Sequence, residues 1–267
     1  MKHIKELYNY IEILIIIVLS TAMVVLDFVK VEYLTDSLRN ALLSKIIQQF
    51  CGSIAAILLL RRLNLKLFTR LRGKAWLYLI PCFIIAIDNF QFSSYFNGYI
   101  TLQRKELIDF ILFGGYCLLV GLFEECIFRG VVFSVLASLF PQNKKGFLLT
   151  YVTSSVVFGL AHIINGFSLQ IAYTILTGGL FAFCLIKTKN IFCCAMVHGI
   201  YNFCGLLFGL EANLGLGQGI VFDKGTVITM LIVSVLVGIF VVYKVFTYSE
   251  EERCDLYQKL SVNPRKA

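Results

Sequence analysis

Apolar residues run through this chain in stretches long enough to cross a bilayer, separated by short polar segments. A hydrocarbon core about 30 Å thick takes roughly 20 apolar residues at 1.5 Å each in helical form. Such stretches cover Tyr10–Val29, Ala41–Leu60, Ala75–Phe92, an unusually long Leu107–Leu139, Phe147–Ile164, Leu169–Ile186, Ile191–Leu210 and Thr226–Phe246. The pattern predicts an all-α fold, a polytopic membrane helix bundle of about eight transmembrane helices.

The segments between them carry the orientation. Cytoplasmic loops collect Lys and Arg. The loop after the second span holds Arg61, Arg62, Lys66, Arg70, Arg72 and Lys74 with no acid among them. Placing it inside also puts Lys2, Lys5, Lys144, Lys145, Lys187 and Lys189 inside. The outer segments are then Lys30–Asn40, Ser93–Glu106, Asn165–Ser168 and Glu211–Gly225, mixed in charge or uncharged. Both termini are expected in the cytoplasm.

Composition narrows the classes. Of 267 residues, 58% are hydrophobic and 15% charged, with a mean hydropathy of +0.82. A soluble domain carries about 25% charged residues, so there is too little polar surface here to cover a soluble core. Intrinsic disorder, a secreted disulfide scaffold and a soluble Rossmann-type enzyme are excluded. The net charge of +8 reads as topology signals and contact with anionic headgroups. Nucleic acid is not an expected partner, because no soluble basic module is present.

Lys2 and Lys5 precede the first apolar run, but no small-x-small cleavage site follows, so that span is expected to be retained. Of nine cysteines, all but Cys254 lie in predicted spans, and none shows CxxC spacing. They read as small apolar fillers, with Cys254 a free thiol. Residues 1–248 are expected to form a single transmembrane helical domain, and 249–267 a short, solvated cytoplasmic tail.

Ionisable groups inside a membrane span are costly and mark functional sites by default. Glu124, Glu125 and Arg129 fall within the long fourth run, His162 in the fifth span, and His198 and Asn202 in the seventh. Glu125 and Arg129 are four residues apart and share a helix face, so they can form an ion pair. Glu124 points roughly 100° away, towards another neighbour. His198 and Asn202, also four apart, project together, and Phe158 stacks one turn before His162. Glu124 and His162 each lie fifteen residues from a predicted cytoplasmic end, roughly 22 Å deep. That agreement requires the fourth run to be one continuous helix.

Two carboxylates, two imidazoles and an amide can thus converge in one buried cavity. A carboxylate in a poor dielectric can take a proton from water, and an imidazole and an amide N–H can stabilise an oxyanion. Imidazole and carboxylate could instead hold zinc, although no HExxH motif is present. Asp27, Asp88, Asp109 and Trp76 lie at span ends and read as interfacial. Gly114-Gly115, Gly178-Gly179 and Gly199 would permit close helix approach or mark gates. The Gly-rich Glu211–Gly225 reads as a mobile outer loop.

The order Glu-Glu-x-x-x-Arg, Phe-x-x-x-His and His-x-x-x-Asn, each in its own hydrophobic span, resembles the CPBP family of intramembrane proteases. That family includes the CAAX prenyl endopeptidases and the bacteriocin-processing and self-immunity proteins, and this compact chain is similar to its bacterial branch. The resemblance implies a catalytic core over 107–210 that hydrolyses peptide bonds of membrane-associated peptides or protein termini. It implies that Glu124 activates water, that Glu125 and Arg129 support it, that His162 and His198 line the reaction centre, and that Asn202 holds the oxyanion. Two cofactor states follow: zinc on Glu124, His162 and His198, or a metal-free site. Membrane peptides and lipid are the implied partners, and a bacterial cell membrane the implied location. The alternative is a non-enzymatic self-immunity or transporter-like protein that uses the same cavity for binding.

Overall fold

The structure is a computed structural model that describes residues 2–28, 36–71, 73–98, 106–165, 169–209 and 224–261. The side chains of 2–10, 24, 26–28, 164, 165, 169 and 170 fall outside that description, Asp27 among them. Parts of the four expected outer segments lie outside it as well, including nearly all of Glu211–Gly225.

Every regular element is helical among the described residues, apart from one isolated bridge between Phe68 and Asn190. In chain order these are α1 (Lys2–Phe28), α2 (Ser37–Arg62), α3 (Leu79–Asp88), α4 (Phe92–Phe96), α5 (Leu107–Glu125), α6 (Phe133–Leu139), α7 (Lys144–Ala161), α8 (Leu169–Thr188), α9 (Ile191–Leu206), α10 (Lys224–Phe246) and α11 (Glu250–Lys259). Six helical stretches among the described residues are long and apolar enough to cross a membrane, namely Ser37–Arg62, Ala75–Phe96, Leu107–Leu139, Ile171–Thr188, Ile191–Gly209 and Lys224–Phe246. The chain is a polytopic all-α bundle. Of the remaining expected spans, the first lies in α1, around the shorter apolar stretch Ile11–Met23. The other is α7, whose Lys144, Lys145, Thr150, Thr153, Ser154 and Ser155 dilute its hydropathy. Thr150 and Ser155 donate to the carbonyls of Gly146 and Tyr151 on their own helix, which makes such hydroxyls tolerable in an apolar setting.

The third expected span bends near its end. Gln91 adopts a left-handed conformation at φ 61° and separates α3 from α4. The fourth run stays helical from Leu107 to Leu139, and Cys126–Val132 within it is a π-helical segment. Asp109, in the first turn of α5, is buried against its neighbours. It caps the start of α5 with Glu106 and receives Arg39 from α2 at 2.7 Å.

Helix α5 packs along α9 and against α2, and α7 pairs with α8. The α5–α9 contact runs backbone to backbone. A Cβ on Gly121 would meet the Ala195 carbonyl oxygen at 2.7 Å, and one on Gly199 would meet Leu118 Cα at 2.9 Å. Small residues let helices approach to this distance in a membrane. The consequence is local: one turn beyond Gly121, α5 is held tightly against the next-door neighbour of Gly199.

At the end where α8 turns into α9, Asn190 caps α9 through the amides of Phe192 and Cys193. The stretch after α2 clasps this turn, with Ile191 donating to the Leu67 carbonyl at 2.8 Å and Thr69 to that of Lys189 at 3.0 Å. Helix α11 docks beside it. Leu256, Tyr257 and Leu260 are buried, Tyr248 donates to the Ile186 carbonyl at 2.7 Å, and Lys187 meets Glu252 at 3.0 Å. The solvated tail expected from its charge is thus a capped, packed helix over 249–259. Leu256, Tyr257 and Leu260 form the single apolar stripe that a charge-rich segment hides.

This docking is expected to depend on pH. Burial opposes the charge on Glu252, but hydrogen bonds from Ser249 and the Lys187 ammonium outweigh it and hold Glu252 below its ordinary 4.5. Because the folded value is the lower one, its contribution is complete above the ordinary value and is lost as pH falls through the folded one. Limited proteolysis should therefore nick 249–261 faster below the carboxylate range than near neutrality. Lys187→Met should reduce the difference, and the hydrogen bonds from Ser249 should sustain the remainder.

Candidate active site

Glu124 and Glu125 end α5, and the π segment begins at the next residue. A π turn bonds each amide five residues back, as Phe133 does to the Phe128 carbonyl. It leaves carbonyls short of their usual partners, and such turns concentrate at functional sites. Ser134 supplies one missing donor, its hydroxyl bonding the Gly130 carbonyl at 2.5 Å. The continuity required of the fourth run is therefore present, with its hydrogen-bond register changed where the acidic pair sits.

Glu125 and Arg129 are both fully buried, with Oε2 and Nε 3.1 Å apart. Their contact is ionic rather than a linear hydrogen bond. Arg129 also donates from Nη2 to the Gly178 carbonyl at 3.2 Å, and its guanidinium lies 4.6 Å from the Phe158 ring centre and 5.7 Å from that of Phe181. A buried cation is tolerable only with a counter-charge and such further contacts.

His198, 3% exposed, places Nδ1 2.9 Å from Glu125 Oε1. A carboxylate paired with arginine only accepts, so Nδ1 carries the proton and donates. The outer nitrogen, Nε2, then faces Glu124 Oε2 at 3.7 Å. Phe181 of α8 lies flat on the imidazole, 4.4 Å away and tilted by 17°. Glu124 differs from its neighbour in its exposure and in making no ion pair with Arg129. Its side chain is 26% exposed, and Oε2 takes no hydrogen bond among the described residues.

His162, expected inside the fifth span, sits just past the end of α7, as the cap residue that opens a 3-10 turn. Its Nδ1 donates to the Phe158 carbonyl at 2.9 Å, which leaves Nε2 as an acceptor in the neutral ring. Phe158 links the two imidazoles, with ring centres 5.0 Å from His162 and 5.8 Å from His198. Asn202 lies one turn beyond His198 on α9, half-buried. The structure thus joins Glu125, Arg129 and His198 by direct contacts, sets Glu124 beside His198 Nε2, brings His162 to them through an aromatic ring, and places Asn202 along the same helix as His198.

Two features escape sequence reading. The Glu125–His198 bond joins residues 73 apart in the chain. Phe181 is one aromatic among many apolar residues of its span, with no polar neighbour to flag it. Phe181→Leu removes the stacked ring but keeps an apolar side chain. Since such pairs contribute about 0.5–1.5 kcal/mol, a loss of stability of that size is expected in thermal unfolding.

A zinc site takes three protein ligands and an open position. Among the described residues no group of three or more His, Cys, Asp or Glu is placed to hold a metal ion. The oxygens of Glu125 are committed to Arg129 and His198. All nine cysteines are free thiols, seven of them buried, with Cys254 exposed.

Residues 106–204 match the family model described as type II CAAX prenyl endopeptidase Rce1-like. No curated protein and no solved structure matches the chain. The matched segment runs from the cap of α5 to the last turn of α9 and holds every residue of the polar cluster. Through that segment the chain is similar to the type II CAAX prenyl endopeptidases.

Proposed function

We propose that Glu124 is the general base of a peptide hydrolase that works on water within this cluster. The observation that carries the reading is the contrast between the two adjacent glutamates. Glu125 is sealed and neutralised, whereas Glu124 keeps an unbonded oxygen beside an imidazole nitrogen 3.7 Å away. A gap of that length suits a bridging water.

In this reading the water donates one hydrogen bond to Glu124 Oε2 and one to His198 Nε2. As its oxygen attacks the scissile carbonyl carbon, Glu124 takes its proton. The Asn202 amide donates to the oxyanion, while His162 lines the reaction centre with its free Nε2. The tetrahedral intermediate collapses when the C–N bond breaks, and the proton held by Glu124 passes to the leaving amine. Glu125 and Arg129 act through His198, fixing its tautomer and ring plane.

The substrates in this proposal are membrane-associated peptides or protein termini, processed in a bacterial cell membrane by a protein with both termini in the cytoplasm. Bilayer lipid is the other partner, and nucleic acid is not one. No step runs through a metal. Purified protein in vesicles, given a library of membrane-anchored peptides, should generate new termini that mass spectrometry detects; an unchanged library contradicts the proposal. Dialysis against 1,10-phenanthroline should leave the rate unchanged. A loss that zinc alone restores would assign Glu124, His162 and His198 a ligand role instead.

A further inference from the structure

A cavity of about 240 Å³ lies away from this cluster, lined by residues of α3, α7, α8 and α10. Its walls are almost wholly apolar, with Ile85, Leu180 and Val237 among them. Five hydroxyls line it and each has a partner: Tyr151 donates to the Gly179 carbonyl, Ser155 to that of Tyr151 and Thr177 to that of Thr174, while Tyr173 interacts with Tyr201 and Ser234. Water needs two to four polar partners, and apolar cavities stay dry. The side chains around the mouth, Val152, Leu176 and Val242, are 55%, 64% and 53% exposed. In a polytopic membrane protein an exposed apolar rim faces hydrocarbon, so the cavity opens to lipid. On its α10 wall, a Cβ added to Gly238 would meet nothing within 4 Å.

We propose that this cavity holds one alkyl chain of a bilayer lipid as a resident part of the fold, its headgroup remaining outside. The occupant follows from the surroundings: an apolar volume whose mouth opens to hydrocarbon takes up hydrocarbon rather than water. Its inner wall includes Gly179, the residue after Gly178, whose carbonyl receives Arg129. The chain therefore supports α8 from behind the cluster.

Protein in phosphatidylcholine vesicles, doped with a phosphatidylcholine carrying a mid-chain diazirine, is irradiated and its adducts mapped by peptide mass spectrometry. Adducts are expected on the inner wall, at Thr177 and Val237, as well as on the outward Leu231 and Leu236 of α10. Gly238→Phe, which fills the cavity, should remove the wall adducts and keep the outward ones. Leu176→Trp, which narrows the mouth, should do the same if Gly238→Phe fails to fold. Gly115→Phe, placed in open space on α5, should change neither set. Wall adducts absent from the wild type, or undiminished in the filled variant, overturn the proposal. So does their loss on adding a farnesylated cysteine methyl ester with the outward adducts constant, because the cavity would then belong to a prenylated substrate.

Discussion

Arg129→Met is expected to lower the unfolding free energy by about 3–5 kcal/mol, the range for breaking a fully buried ion pair from one side. The change leaves the Glu125 carboxylate, wholly shielded from solvent, with a single imidazole as its partner. Glu125→Leu should have an effect of the same size, because the guanidinium would retain only the Gly178 carbonyl and two aromatic faces. The double variant Glu125→Leu/Arg129→Met should recover most of the stability, since removing both charges also removes their desolvation penalty. Hydrolysis should not return with it. His198 would have lost the acceptor that fixes its proton on Nδ1, so the two recoveries separate a structural pair from one that also orients the imidazole. A double variant that regained both would assign the pair to packing alone.

Glu124→Gln is expected to reduce hydrolysis by about 10²- to 10⁴-fold, the contribution of a positioned general base. The amide keeps the shape of the carboxylate and can still hold a water, but it takes no proton. Stability should change little, because Glu124 Oε2 makes no hydrogen bond among the described residues and the side chain is partly exposed. Thermal unfolding in detergent checks this directly. Folding retained with hydrolysis lost places Glu124 in the chemistry; both lost together would place it in the scaffold.

The bundle was legible because membrane helices satisfy their backbone internally and announce themselves as long apolar runs. The candidate cluster could be picked out because charge in such runs is rare, so Glu124, Glu125, Arg129, His162 and His198 stand out by type alone. Spacing gave the Glu125–Arg129 pair, which is local to one helix. It could not give the Glu125–His198 bond, which depends on α5 and α9 meeting through Gly121 and Gly199. His162 was read as lying within a straight span because nothing in Phe-Gly-Leu-Ala-His ends a helix; the α-helix in fact stops at Ala161. The docked α11 was hidden because its burial rests on three side chains in a segment otherwise rich in charge. The π segment has no sequence signature that periodicity could detect.

The most direct test of Glu124-dependent proteolysis compares two peptide profiles. Membranes and medium from cells making the wild type are set against those from cells making Glu124→Gln at equal expression, with peptides identified by mass spectrometry. A peptide or processed terminus present only with the wild type is the predicted result, and its sequence names the substrate class. Identical profiles, with a host phenotype that the Glu124→Gln protein still confers, would contradict the account and leave binding at the same cluster as the activity.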